Sequence, residues 1–167
     1  MLTNYTGTDL VYNIVEELLS GSIDGVSISA HVGSGGRAGS KTRGAVNPFL
    51  ANNPYATGVK SQGDLAGGPT VMGKYTLRTH ESHKNWIRLI PDAQNNMHGR
   101  DGFAIHGRGP VGSHGCIVPT DFNVVTLLHK LVKAREKDGQ RAPTLAVVAI
   151  GDLDAVDRRL ERLRSTA

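Results

Sequence analysis

Hydrophobic positions change period several times along the chain, and those changes divide it into elements. Leu10, Val11, Ile14, Val15, Leu18 and Leu19 recur at helical spacing before Gly21, which predicts a helix from about Thr8 to Ser20 inside an N-terminal segment, 1–24. Val26, Ile28, Ala30 and Val32 alternate with Ser27, Ser29 and His31, the pattern of a half-buried strand. Periodicity then disappears over 33–68. Strands are expected again at Gly73–Arg78, Asn85–Ile90 and Gly102–His106. Thr120 or Asp121 caps a helix running to about Lys137, with Phe122, Val125, Leu128 and Val132 on its apolar face and Val124, Leu127 and Leu131 widening it. Thr144–Ile150 is apolar throughout, as in a central strand, and Asp152 or Asp154 begins a last helix over 152–167 with Leu153, Val156, Leu160 and Leu163 inward. The order predicts an α+β fold, a mainly antiparallel sheet with helices packed on it.

Composition narrows the class. A chain of 167 residues with 38% hydrophobic content suits one domain, 1–167, with a core 69–150. The net charge of +4 favours anionic surroundings, yet aromatic residues make up only 5%, without arginine–aromatic interleaving, so nucleic acid is not expected as a partner. No apolar run is long enough to predict a transmembrane segment. The first 20 residues carry Asp9, Glu16 and Glu17 where a secretory signal would be basic and then apolar, so no signal peptide is expected. The aperiodic segment has no acidic residue between Gly25 and Gly63, and it carries Arg37, Lys41, Arg43 and Lys60. A segment of this length and charge reads as a basic lid or substrate-facing loop, with disorder as the alternative.

The chemistry concentrates in Phe103-Ala104-Ile105-His106-Gly107, followed at a short interval by Ser113-His114-Gly115-Cys116-Ile117-Val118-Pro119. Cys116 is the only cysteine, so no internal disulfide can form and a zinc site lacks a second thiolate. His98, His106, His114 and Cys116 match no common zinc spacing, and no metal or cofactor is expected. A thiol becomes a strong nucleophile when a base removes its proton, and His106 closes a predicted strand ten residues before Cys116. The amides of His114, Gly115 and Cys116 are candidates for an oxyanion hole, and the Gly107 carbonyl for holding one ring nitrogen of His106. A buried structural cysteine is the competing reading. His80 and His83 are expected in an exposed turn. The stretch Gly35-Gly36-Arg37-Ala38-Gly39-Ser40-Lys41-Thr42 is not a phosphate-binding loop, because lysine does not follow the glycine and Asn47-Pro48 prevents a helix.

Ser113-His114-Gly115-Cys116 resembles the Ser/Thr-His-Gly-Cys signature of L,D-transpeptidase catalytic domains. Pro69-Thr70-Val71-Met72-Gly73-Lys74-Tyr75 resembles the same family's Pro-Thr-Pro-x-Gly-x-aromatic motif, with Val71 replacing the second proline. The similarity spans roughly Val26 to Ile150. Ordinary members place the histidine farther upstream and carry arginine where this chain has Val118. The short histidine–cysteine interval, with Trp86-Ile87-Arg88-Leu89-Ile90-Pro91 before it, is similar to a divergent subgroup of antibacterial effectors delivered by type VI secretion.

The resemblance implies Cys116 as acyl-accepting nucleophile, His106 as base and Gly107 as its orienting carbonyl. Ser113, His114 and Gly115 would shape the oxyanion hole, and Arg88, Arg108 and Tyr75 would meet the substrate. It further implies peptidoglycan tetrapeptide stems as substrate, cleaved between the diamino acid and the terminal D-alanine or exchanged there for another D-amino acid. Delivery to a target-cell periplasm, a cognate immunity protein and a secretion-system component follow from the same likeness. An ordinary cross-linking transpeptidase, a papain-like endopeptidase and a non-catalytic cell-wall-binding module are the alternatives. The papain-like order, cysteine before histidine, is the reverse of the order here.

Overall fold

A computed structural model describes residues 7–37, 46–107 and 113–166. The chain forms β1 (Leu10–Asn13), β2 (Leu18–Ile23), β3 (Val26–Ser34), a 3-10 turn (Pro54–Ala56), β4 (Gly73–Thr79), β5 (Ile87–Pro91), β6 (Ala104–Ile105), β7 (Ile117–Pro119), α1 (Phe122–Lys137), β8 (Thr144–Val148) and α2 (Leu153–Ser165). The fold is α+β, but the sheet closes on itself in the order β1-β2-β3-β7-β6-β5-β4-β8. Its pairings are antiparallel except where β1 meets β8 and β6 meets β7. The expected sheet is thus an eight-stranded barrel, a closure that leaves no unpaired edge.

The N-terminal helix expected over Thr8–Ser20 is instead the β1–β2 hairpin. Leu10, Tyr12 and Ile14 are fully buried while Val11 and Asn13 are only partly covered, so the operative period is two. The turn closes through Glu17, which adopts φ 55° and donates its amide to the Ile14 carbonyl at 3.3 Å. What selects the strand is long-range: β8 pairs β1 from its far side, Leu10 opposite Leu145 through Asn13 opposite Val148. A helix here would leave one flank of β8 without hydrogen-bond partners.

The alternation along β3 is as its pattern predicts, with Ile28, Ala30 and Val32 inward. Asp121 caps α1 by accepting the Asn123 amide at 2.9 Å, and Val125, Leu128 and Val132 enter the core against β4, β5 and β7. Phe122 departs from the expected stripe; it is 42% exposed and its ring lies beside Gly107. Asp152 caps α2, where Val156 and Leu160 are buried but Leu153 stays 37% exposed. Leu153 is the first residue of that helix.

Of the described parts of the 33–68 segment, 33–36, 53–57 except Tyr55, and 66–68 are mostly buried, while 58–65 is largely exposed. Ser34 and Asn52 exchange hydrogen bonds, the Ser34 amide to Asn52 Oδ1 at 2.8 Å and the Asn52 amide to the Ser34 carbonyl at 2.9 Å. The Gly36 amide reaches the Gly67 carbonyl at 2.7 Å, and Asn53, Ala56, Thr57 and Ala66 are buried. Lys41 and Arg43, on which the lid expectation partly rested, lie outside the described residues. Among the described residues no helix is long and apolar enough to cross a membrane.

Candidate functional site

The site is built on the pair of shortest strands. β6 and β7 run parallel with Ile105 opposite Ile117, both fully buried. Side chains alternate along a strand, so the residues flanking that pair, His106 after β6 and Cys116 before β7, emerge on the other face together. The His106 amide donates to the Ile117 carbonyl at 3.1 Å, which ties the histidine to the residue directly after the thiol. Both side chains are half-buried. The Cys116 Sγ faces the Gly102 carbonyl at 3.9 Å.

His106 is oriented from two sides. Its Nδ1 donates to the Gly107 carbonyl at 3.0 Å, leaving Nε2 as the acceptor nitrogen of the neutral ring. Trp86 stacks on it, with centroids 4.1 Å apart and planes inclined by 11°. A Cβ at Gly107 would lie 2.2 Å from the Phe122 ring, so only glycine lets that carbonyl sit where the histidine needs it. Burial holds the imidazole below its ordinary pKa, opposed by the Gly107 hydrogen bond and reinforced by the charges of Arg37 and His83. Burial also pushes the Cys116 thiol up, against the pull of the Ala104 backbone hydrogen bond and the Arg100 charge. The resting pair is therefore a neutral thiol and a neutral imidazole, suited to proton transfer during attack rather than to a standing ion pair.

The loop before the thiol is held by buried hydroxyls. Ser113 Oγ donates to the Cys116 carbonyl at 2.6 Å and accepts the amides of Gly35 at 2.9 Å and Gly115 at 3.2 Å, which uses its full hydrogen-bonding capacity. The Gly115 carbonyl is turned inward, taking hydrogen bonds from Thr70 Oγ1 and from Ser34 Oγ at 3.1 Å. A trans peptide then directs the Cys116 N–H outward, and that amide has no partner among the described residues. Of the amides expected to form an oxyanion hole, Gly115's is occupied by Ser113, while Cys116's remains available. Gly115 itself has φ 121°, and a Cβ there would meet the Phe103 ring at 2.4 Å and Arg100 Nη2 at 2.6 Å. His114 projects into solvent.

The remaining expected residues fall in different places. Arg88 is exposed and paired with Glu81; the two border a cleft with His80, Trp86, Gly102 and Ala104. Tyr75 is fully buried on β4, its hydroxyl donating to the Val71 carbonyl at 2.6 Å, and it offers no surface to a substrate. Arg108 lies outside the described residues. His83 is exposed as expected, yet it also packs on Trp86 at 4.6 Å, and His80 approaches Trp86 edge-on at 5.8 Å. Among the described residues no cluster of His, Cys, Asp and Glu could hold a metal ion.

Sequence reasoning missed Arg100, buried to 5% exposure beneath the cysteine loop. It stands in Asn95-Asn96-Met97-His98-Gly99-Arg100-Asp101-Gly102, a polar, turn-like run that carries no signal of burial. Trp86 and Thr70 both stood in recognised motifs, but nothing local showed that one would stack on His106 and the other bond Gly115. No known family model matches this chain, and no characterised protein or solved structure proves similar to it.

Proposed function

We propose that this protein is a cysteine-dependent acyl-transfer enzyme that acts on peptidoglycan tetrapeptide stems, as an L,D-carboxypeptidase or by exchange of the terminal D-alanine. The observation that carries the reading is the placement of Cys116 and His106 on one face of the β6–β7 pair, with His106 Nδ1 on the Gly107 carbonyl and Nε2 left to accept a proton. The resemblance of the Ser113–Cys116 and Pro69–Tyr75 motifs to L,D-transpeptidases supplies the substrate. Arg37, exposed and close enough to His106 to act on its charge, provides a cation for a stem carboxylate.

In the first half-reaction Cys116 Sγ attacks the carbonyl carbon of the third residue, a diamino acid, as its proton passes to His106 Nε2. The outward Cys116 N–H meets the developing oxyanion. The bond to the D-alanine nitrogen breaks, and His106 returns its proton to that leaving amine. Water, or the amine of another D-amino acid, then attacks the thioester while giving a proton to His106. The thiolate departs and takes that proton back. Loss of donor stems in this way would be toxic in a periplasm, which fits an antibacterial effector of type VI secretion with a cognate immunity protein.

The test is incubation of purified protein with tetrapeptide muropeptides, with and without a free D-amino acid, and mass analysis of the products. Tripeptide or exchanged tetrapeptide is expected from the wild type and from neither Cys116→Ala nor His106→Ala. Undiminished product from either variant would remove this mechanism. Stem binding without turnover would favour a cell-wall-binding module, and dimeric muropeptides a cross-linking enzyme.

A further inference from the structure

The side chain of Arg100 is a buried cation without an acid. Its Nη1 donates to the carbonyls of Thr57 and Pro69, the latter at 2.7 Å, and its Nη2 to those of Gly68 at 2.8 Å and His114 at 3.3 Å. The guanidinium lies over the Phe103 ring, 5.0 Å from its centroid. No carboxylate forms an ion pair with it among the described residues. Neutral carbonyls bond both terminal nitrogens and a ring face lies against the plane, but they leave a net charge in a desolvated place, and burial lowers its pKa accordingly. Two groups able to become anions act on Arg100, the buried Tyr75 phenol and the Cys116 thiol; a thiol is ordinarily the more acidic of the two, and Arg100 in turn pulls the Cys116 thiol down.

We propose that Arg100 is a positioning residue for Cys116, clamping the His114 carbonyl so that the cysteine loop presents its thiol and supplying the positive charge that the thiolate meets when it forms. This deepens the acyl-transfer reading of the same site and rests on it. The clamp and the charge act at one point, because a Cβ at Gly115 would already touch Nη2. The other charged or titratable groups around Arg100 and the thiol are the buried Tyr75 of β4, His106 and Asp101 beside β6, His114 in the cysteine loop, Arg37 three residues after β3, and the Glu81–Arg88 pair with His80 and His83 across the cleft. None of these is a buried cation: Tyr75 is buried but carries no positive charge, and Arg37 and Arg88 are exposed.

The test measures the rate of Cys116 alkylation by iodoacetamide against pH, with melting temperature recorded for each variant. Arg100→Gln and Arg100→Met should raise the midpoint by about one unit or more, about a tenfold loss of rate at neutral pH. Arg100→Lys should keep the midpoint near the wild type's while losing thermal stability, because it retains the charge without the fork. An unchanged midpoint in a folded neutral variant overturns the proposal and leaves Arg100 as a clamp only. Should neither neutral variant fold, the Arg37→Gln protein decides by the ratio of its iodoacetate to iodoacetamide rates. A ratio several-fold above that of a cysteine peptide supports the buried charge, and a ratio at or below the peptide's overturns it. Alkylation needs no muropeptide, so failure of the stem-peptide reading would show separately as absence of turnover.

Discussion

The β2–β3 and β6–β7 pairs sit in one barrel and are held by different physics. β2 and β3 share a continuous antiparallel register from Leu18 opposite His31 to Ile23 opposite Val26, with Leu19, Ile23, Ile28 and Ala30 buried along it. β6 and β7 share a single register pair, Ile105 with Ile117. What the second pair lacks in ladder it recovers from buried side chains: Ser113, Ser34 and Thr70 on the Gly115 and Cys116 carbonyls, and Arg100 on the His114 carbonyl. A long ladder fixes a strand by repeating one contact, whereas the site is fixed by a few different contacts that each hold one atom. Such a scaffold can leave an amide and a thiol facing outward without opening the core.

That contrast predicts where substitutions should act. Cys116→Ala is expected to reduce turnover by about 10³-fold or more while leaving the melting temperature near the wild type's, since the thiol makes no strong bond to the fold. Unaltered turnover would mean the site has no nucleophile at this position. Leu77→Ala, a fully buried β4 position, should cost about 2–5 kcal/mol in denaturant unfolding and leave kcat of the folded fraction unchanged. Thr70→Val should cost less, about 1–3 kcal/mol, by leaving the Gly115 carbonyl with one donor fewer, and it should also lower kcat. If Thr70→Val and Leu77→Ala affected kcat alike, the division between ladder and site would not hold.

The smallest expected effect concerns pH. Burial disfavours the imidazolium of His106, so its folded pKa lies below the ordinary value and the ring is unprotonated at neutral pH. The acid limb of kcat/KM should therefore fall at a pH below that of a free histidine, with activity lost as pH drops through it. Trp86 is the only tryptophan and stacks on this ring, so its fluorescence should be quenched over the same limb. His106→Gln should remove that quenching and His83→Gln should not; the reverse result would assign the titration to His83, which also packs on Trp86.

The readable parts of the fold share a physical cause. β3, α1, β8 and α2 each carry a period, a cap or an unbroken apolar run that one stretch of chain expresses by itself. The β1–β2 hairpin did not, because Leu10 and Ile14 satisfy both a helical and an alternating spacing. Only pairing to β8, from the opposite end of the chain, separates the two. The same limit applied at the site. His106, Gly107, Ser113 and Cys116 stand in one short glycine-rich stretch and could be grouped without coordinates. Arg100 could not, since its burial depends on the carbonyls of Thr57, Gly68, Pro69 and His114.

The sequence by itself determined the chemistry available to this protein: one thiol, a histidine at short range, and glycines where neighbouring groups crowd the backbone. Tertiary structure decided how that chemistry is presented. Closure of the barrel aligned Ile105 with Ile117 and so brought His106 and the Cys116 thiol to one face. It also brought the Trp86 ring to His106 and the Arg100 charge beneath the cysteine loop. Local pattern encodes which face of a segment is buried, but the identity of the atoms it is buried against is settled only when distant segments pair.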